Sequence, residues 1–265
     1  MHRLLNRANL TSKRTDVLLQ ELVPATLLRR YKRFLADVSF ADGSQAVVHC
    51  PNPGSMLGLA EPGMTVYLSR AKNKGAKLEW GWRLVDAGTS LVCVDTMLAN
   101  KLFAEAFQLG RLEEFSNYSE IRAEFKYEDS RFDFLLVSGA SGSGGGRMMV
   151  EVKSTTLVED ESLPAGRKVA AFPDARTERG LKHLNTLAGA ISSDCHCAQY
   201  YVVSRSDTCA FKPAAWIDAK YAEGLLRARK LGVQVHCRAV AIDLGKKGDV
   251  YEAEIFLTDK VDLAF

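Results

Sequence analysis

The sequence predicts an α+β protein of two domains, a small N-terminal β-barrel followed by a larger mixed α/β domain. Three observations predict it. Short alternating runs separated by turn residues crowd residues 22–95. The hydrophobic period switches to a helical one near residue 95. Strand-like and helix-like segments then interleave to the end. The 265 residues suffice for two ordinary cores, and 47% apolar with 25% charged residues is typical of a soluble globular chain. No apolar run approaches the roughly 20 residues that a membrane helix needs, so no membrane association is expected.

Residues 1–21 read as an N-terminal extension. The first fifteen, MHRLLNRANLTSKRT, hold basic residues and no acids. That fits either a floppy basic arm or, less readily, an organellar targeting segment. Within 22–95, Arg33 to Phe40 alternates, Ala41-Asp42-Gly43 supplies a turn, and Gln45 to Cys50 alternates again. Pro51-Asn52-Pro53-Gly54 breaks the pattern. Met64 to Arg70, Leu78 to Val85 and Ser90 to Val94 complete five short strands, the number that closes an OB-like barrel. In 96–265, Leu98, Leu102, Ala106 and Leu109 mark one helical face that Gly110 ends. Ile121 to Tyr127, Phe132 to Val137 and Met148 to Lys153 read as strands. The stretch SGASGSGGG (138–146) cannot pack a core and reads as a flexible hairpin loop between the last two of them. Helices are expected over 177–191 and 219–231, and strands over 199–204 and 233–242.

The chemistry lies in that hairpin. Asp133 sits in RFDFLLV, and Glu151 and Lys153 in MMVEVKS. Residues two apart on a strand share a face, so Glu151 and Lys153 project together while Val150 and Val152 face the other way. If the strands pair, Asp133 stands beside Glu151, and two such carboxylates repel unless a cation lies between them. Mg2+ or Mn2+ suits oxygen ligands of this kind and would activate water on a phosphodiester, with Lys153 steadying the developing charge. The pattern is that of PD-(D/E)xK nucleases, although three common residues with a loose gap also arise on an ordinary strand face. Glu105, on the preceding helix five residues from Asn100, is expected to add a third acid. The catalytic set is therefore Asp133, Glu151, Lys153 and Glu105, with Asp133, Glu151 and Glu105 as metal ligands. In FPDARTERGLKHL, Arg179 and His183 are four apart and are expected to share a phosphate-contacting face.

The formal net charge is only +3, but its distribution is uneven. Residues 1–95 carry 13 Lys and Arg against 8 Asp and Glu, while 96–265 carry 22 against 24. A basic first part fits a polyanion, and the acids of the second could hold a cation. Arg29, Arg30, Lys32 and Arg33 form the densest basic cluster and are expected to contact phosphates, with Arg70, Lys72, Lys74 and Lys77 close behind. Tyr31, Phe34, Trp80 and Trp82 are expected in the barrel core. The six scattered cysteines read as reduced thiols of a cytoplasmic protein, and Cys195-His196-Cys197 lacks the second pair of a zinc site.

The stretches LLRRYKRFLADV, HCPNPGSMLGL, VDTMLANKL, SRFDFLLV, VEVKSTTLV and FPDARTERGLKHL run in order across about residues 25–242. As a set they resemble the sugar fermentation stimulation protein A family. The resemblance implies an OB-like N-terminal domain, a restriction-endonuclease-like C-terminal domain, DNA binding, and a role in regulating sugar (maltose) metabolism. It places Asp133, Glu151 and Lys153 on the nuclease-like motif, with Glu105 on the preceding helix. Pro53 stands where the family usually has Thr, and the Gly/Ser stretch lengthens the hairpin. Two functions follow: a metal-dependent nuclease on DNA or RNA, or a non-catalytic DNA-binding regulator of sugar metabolism genes.

Overall fold

A computed structural model describes residues 17–71, 73, 75–139, 146–159 and 167–265. The basic arm to residue 16, Lys72, Lys74 and the centre of the Gly/Ser loop lie outside the described residues. The barrel strands are β1 (Val17–Tyr31), β2 (Leu35–Ser39), β3 (Gln45–His49), β4 (Thr65–Arg70) and β5 (Trp80–Asp86), with a short β6 (Leu91–Cys93) on β5. Pairings β1–β2, β2–β3, β3–β5, β5–β4 and β4–β1 close a ring. Its core holds Leu27, Val38, Val48, Met56, Leu68 and Trp82, each buried by the alternation of its strand or by the loop that caps the barrel end.

The second domain follows with α1 (Met97–Gln108), β7 (Glu120–Tyr127), β8 (Ser130–Val137), β9 (Arg147–Thr155), β10 (Val158–Glu159) and β11 (Lys168–Phe172). Then come α2 (Glu178–Gly189), β12 (Cys195–Val203), β13 (Thr208–Pro213), α3 (Ala219–Lys230), β14 (Gln234–Lys247), β15 (Val250–Lys260) and β16 (Asp262–Leu263). Its main sheet runs β15-β14-β12-β9-β8-β7, and a four-stranded sheet, β10-β11-β13-β16, stands beside it. The strands β9, β12 and β14 are parallel, and α2 and α3 lie in the crossovers between them. One face of the sheet packs on α1 through Leu102, Phe103 and Ala106 against Val150, Val152 and Tyr200. The other packs on α2 and α3 through Leu184, Leu187, Tyr221 and Leu225 against Met149, Cys197 and Tyr201. No described helix is long and apolar enough to cross a membrane. All six cysteines are free thiols.

Two features differ from expectation. Residues 17–21 are the start of β1, whose first half pairs with β15 and whose second half belongs to the barrel. The changeover is a register shift between Leu19 and Leu22, with Glu21 at φ 53°; such a bulge re-aims a strand. The barrel and the second domain therefore share a strand, so their sheets form one hydrogen-bonded path while the barrel still closes on itself. The two are also fastened side by side: Thr89 Oγ1 donates to Asp207 at 2.6 Å, Cys93 N–H to Ser204 O at 2.9 Å and Thr96 Oγ1 to Pro51 O at 3.0 Å. The second difference concerns aromatics. Trp82 is fully buried, but Phe34 is 46% exposed and stacks on His49 at 6.4 Å, while Tyr31 and Trp80 are half-buried.

Candidate functional site

The hairpin β8–β9 is paired from Val137 opposite Arg147 to Phe134 opposite Val150, where the ladder stops. Two residues on, the Val152 N–H donates to Asp133 Oδ2 at 2.8 Å. A side-chain carboxylate thus takes the place that a neighbouring strand's carbonyl would fill, at the point where the strands part. Asn100 on α1 donates to the other oxygen, Asp133 Oδ1, at 2.6 Å. Asp133 is held from both sides.

Glu151 lies in the middle of β9 and is 3% exposed. Val150 and Val152 pack toward α1, so Glu151 and Lys153 take the α2 face. Glu151 Oε1 accepts from Lys153 Nζ and lies 2.6 Å from His183 Nδ1 of α2. Glu151 Oε2 is buried and has no hydrogen-bond partner among the described residues. On the adjacent β12, Gln199 stands level with Glu151 and donates to the Glu151 carbonyl at 2.9 Å, while its own Oε1 is also buried without a partner.

The two acids are pushed in opposite directions. Burial, and second the charge of Glu151, raise Asp133 above the usual carboxylate range, against the Val152 N–H, Lys153 and Asn100. Burial also works against Glu151, but the His183 hydrogen bond and the Lys153 charge outweigh it and hold Glu151 below the usual range. The cluster is therefore one well-compensated carboxylate beside one that carries its charge reluctantly.

The Sugar fermentation stimulation protein RE domain model matches residues 97–246, and the SfsA N-terminal OB domain model matches residues 28–94. A sugar fermentation stimulation protein homolog of Magnetococcus marinus is 45% identical over 83% of this chain and 90% of its own length. Homologs of Paramagnetospirillum magneticum and Nitrosococcus oceani are 43% and 46% identical, over 84% and 82% of this chain and 93% and 89% of theirs. The chain belongs to the sugar fermentation stimulation protein A family. A solved structure described as Pyrococcus furiosus SfsA in complex with Ca2+ superposes with a TM-score of 0.78, covering 95% of this chain and 99% of that one at 23% identity. The fold is thus the two-domain SfsA fold, an OB barrel followed by a mostly sheet domain with few helices.

Within this SfsA fold the residues singled out in the sequence separate. Asp133, Glu151 and Lys153 come together. Glu105 is half-buried on α1, about 7.5 Å along the helix and about 140° round it from Asn100. It takes no part in the cluster's hydrogen bonds, and the described residues hold no group of three or more His, Cys, Asp or Glu side chains placed for a metal. The expected three-acid set is not assembled. His183 is corrected as well: it is buried on Glu151, whereas Arg179, four residues earlier, is exposed. Arg30 is occupied, since its guanidinium donates to the carbonyls of Arg33, Asn52, Gly54 and Ser55 at 2.8–3.1 Å. Arg29 pairs with Asp37 at 2.6 Å over the Tyr31 ring. Lys32 and Arg33, both in left-handed backbone (φ 49° and 62°), form the exposed tip of the β1–β2 hairpin. Sequence reasoning passed over Gln199 and the role of Asn100. The available signal for Gln199 was one amide inside the apolar run CAQYYVV.

Proposed function

We propose that this protein is a Mg2+- or Mn2+-dependent phosphodiesterase acting on nucleic acid, with a restriction-endonuclease-like second domain and the barrel as its binding module. The observation that carries the reading is Glu151 Oε2, a buried carboxylate oxygen with no hydrogen bond, beside a second buried carboxylate that it repels. A buried acceptor left unsatisfied costs about 1–3 kcal/mol, and a hard cation would satisfy it. The donors offered are oxygens, the set such an ion prefers. Mg2+ keeps waters or substrate phosphates in its remaining positions, so two carboxylates suffice and Glu105 is not needed. The archaeal relative described with Ca2+ is in keeping with oxygen-ligand chemistry.

Asp133 and Glu151 would hold the ion, which when bound polarises a phosphodiester and lowers the pKa of a bound water. Asn100 and the Val152 N–H fix the orientation of Asp133, and His183 and Gln199 fix Glu151 and its backbone. Lys153 keeps its ammonium at the same carboxylate, where it would orient the attacking water or steady charge on a phosphoryl oxygen. Lys32 and Arg33 would contact phosphates at the hairpin tip, with Phe34 exposed beside them for a base. DNA is the expected partner.

A second reading, a DNA-binding regulator of sugar (maltose) metabolism genes, draws on one fact: Lys153 and His183 already engage Glu151, so the cluster holds together without a metal. One assay separates the two. Single- and double-stranded DNA and RNA are incubated with the protein and Mg2+ or Mn2+, beside Lys153→Ala. Metal-dependent cleavage by the wild type alone supports the phosphodiesterase. Tight binding by both proteins with cleavage by neither supports the regulator.

A further inference from the structure

At the start of α2 and α3 lies a cavity of about 460 Å³, within the range of small-ligand sites. Its lining includes Arg176, Thr177, Leu181, Trp216, Ile217 and Lys220. Trp216 is 52% exposed. A single exposed apolar side chain needs no explanation. An indole facing a cavity flanked by two exposed cations does. Neither Arg176 nor Lys220 forms a salt bridge with another described residue. Two acids stand against these cations: Asp218 is already committed, accepting from the Tyr221 and Thr177 N–H groups at 3.0 and 2.9 Å, and Glu178 is exposed at the first position of α2, which leaves the two cations in balance with one open carboxylate. Lys212 Nζ stands 5.8 Å from the ring and is tied to Glu159, which steadies the indole.

The helix α2 connects the cavity to the carboxylates. Thr177 lines it, and His183, six residues further along α2, touches Glu151. The separation is about 9 Å along the helix at 1.5 Å per residue and about 120° round it, a gap that a single strand of a few nucleotides can span. Arg176 at the cavity, then Arg179 and Lys182 on α2, are exposed and recur every three residues, a basic ridge where the sequence had suggested Arg179 with His183.

We propose that the Trp216 cavity holds one unpaired nucleobase, stacked on the indole, of a strand whose phosphates follow Arg176, Arg179 and Lys182 toward the carboxylates. The proposal builds on the phosphodiesterase reading, but its test does not need turnover. In chelator, binding of a short single-stranded oligodeoxynucleotide containing 2-aminopurine is followed by anisotropy and by quenching of the analogue. Trp216→Ala should lose on the order of tenfold in affinity, the weight of one stacked base, and lose the quench. Trp216→Phe should keep most of both, and affinity for a blunt duplex should be unchanged in either. Arg176→Ser should lower the salt slope by about one. Unchanged single-strand affinity and quench in Trp216→Ala would overturn the proposal. So would equal losses in Trp216→Ala and Trp216→Phe, or a wild type that binds no single strand. Cleavage with Mn2+ is scored separately. Its absence, with Trp216-dependent binding intact, removes the phosphodiesterase reading and leaves the base site standing.

Discussion

Replacing Asp133 by Asn isolates the metal from the scaffold. Asn keeps the shape of Asp and can keep both hydrogen bonds: its carbonyl accepts from the Val152 N–H, and its amide donates to Asn100 once the Asn100 amide turns over. The charge that burial and Glu151 oppose is gone. In chelator at neutral pH the variant should therefore match the wild type to within about 1 kcal/mol, or exceed it. Metal should separate them. An ion that binds only the folded site stabilises by about 2.7 kcal/mol at a hundredfold excess over Kd, comparable to the cost of the orphaned Glu151 oxygen that it relieves. For a chain of this length each kcal/mol moves Tm by about 2–4 °C. Mg2+ or Mn2+ should thus raise the wild-type Tm by about 5–10 °C and leave Asp133→Asn within about 2 °C. Differential scanning calorimetry with and without metal makes the measurement. Equal shifts in both proteins would remove Asp133 as a ligand, and no shift in either would remove metal from the site.

Three further outcomes follow from the same contacts. Arg30→Ala should lower stability by about 2–3 kcal/mol, because part-buried charge-assisted bonds to the Asn52 and Gly54 carbonyls are lost, while reversal of Lys32 and Arg33 should leave Tm unchanged and flatten the salt dependence of nucleic-acid binding; an unaltered Arg30→Ala Tm would make the clamp idle. Burial works against the Glu114 charge, but Arg238 at 2.8 Å outweighs it and holds Glu114 below its ordinary pKa, so its stabilisation is complete above the unfolded value of about 4.3 and is lost as pH falls through the lower folded value; because Arg238 keeps Glu113 and the Thr258 carbonyl, Glu114→Gln should cost about 1–3 kcal/mol at pH 7 and less below pH 4, and a cost that does not shrink in acid would refute the assignment.

The hairpin that carries the site was legible because alternation fixes faces. Once β9 is a strand, Glu151 and Lys153 must leave on the side opposite Val150 and Val152. What alternation could not show is that the ladder ends at Phe134 and that Asp133 takes over a backbone donor. The long β1 was obscured for a related reason. Glu21 and Pro24 interrupt its apolar pattern, and the strand changes partners at that irregularity. Its mate β15 alternates cleanly through Tyr251, Ala253, Ile255 and Leu257, but it falls after the last stretch resembling the family. For α2, spacing gave the angle between Arg179 and His183 and not the rotation of the helix against the sheet. Docking on Leu184 and Leu187 turns His183 inward and leaves Arg179 at the rim.

The loop at residues 51–56 shows how Pro53 is accommodated. The carbonyls that Arg30 uses there belong to Asn52, Gly54 and Ser55, and the donors the loop uses are the Gly54 N–H, to Asn52 Oδ1 at 2.8 Å, and the Met56 N–H, to Asp174 Oδ2 at 3.4 Å. The group a proline lacks, the N–H of residue 53, has no task among these bonds, and the side chain points into solvent. Gly54 is the tight position, because a Cβ there would meet the Asp174 carboxylate, which would have to move aside. Asp174 lies two residues before Arg176, the first cation of the α2 ridge, and Arg30 lies two residues before Lys32 at the hairpin tip. The loop therefore ties the barrel's basic tip to the start of the basic ridge through bonds made almost wholly by its backbone. A change of side chain at 53 leaves that tie intact, whereas a side chain at 54 would displace the Asp174 carboxylate that accepts from the Met56 N–H.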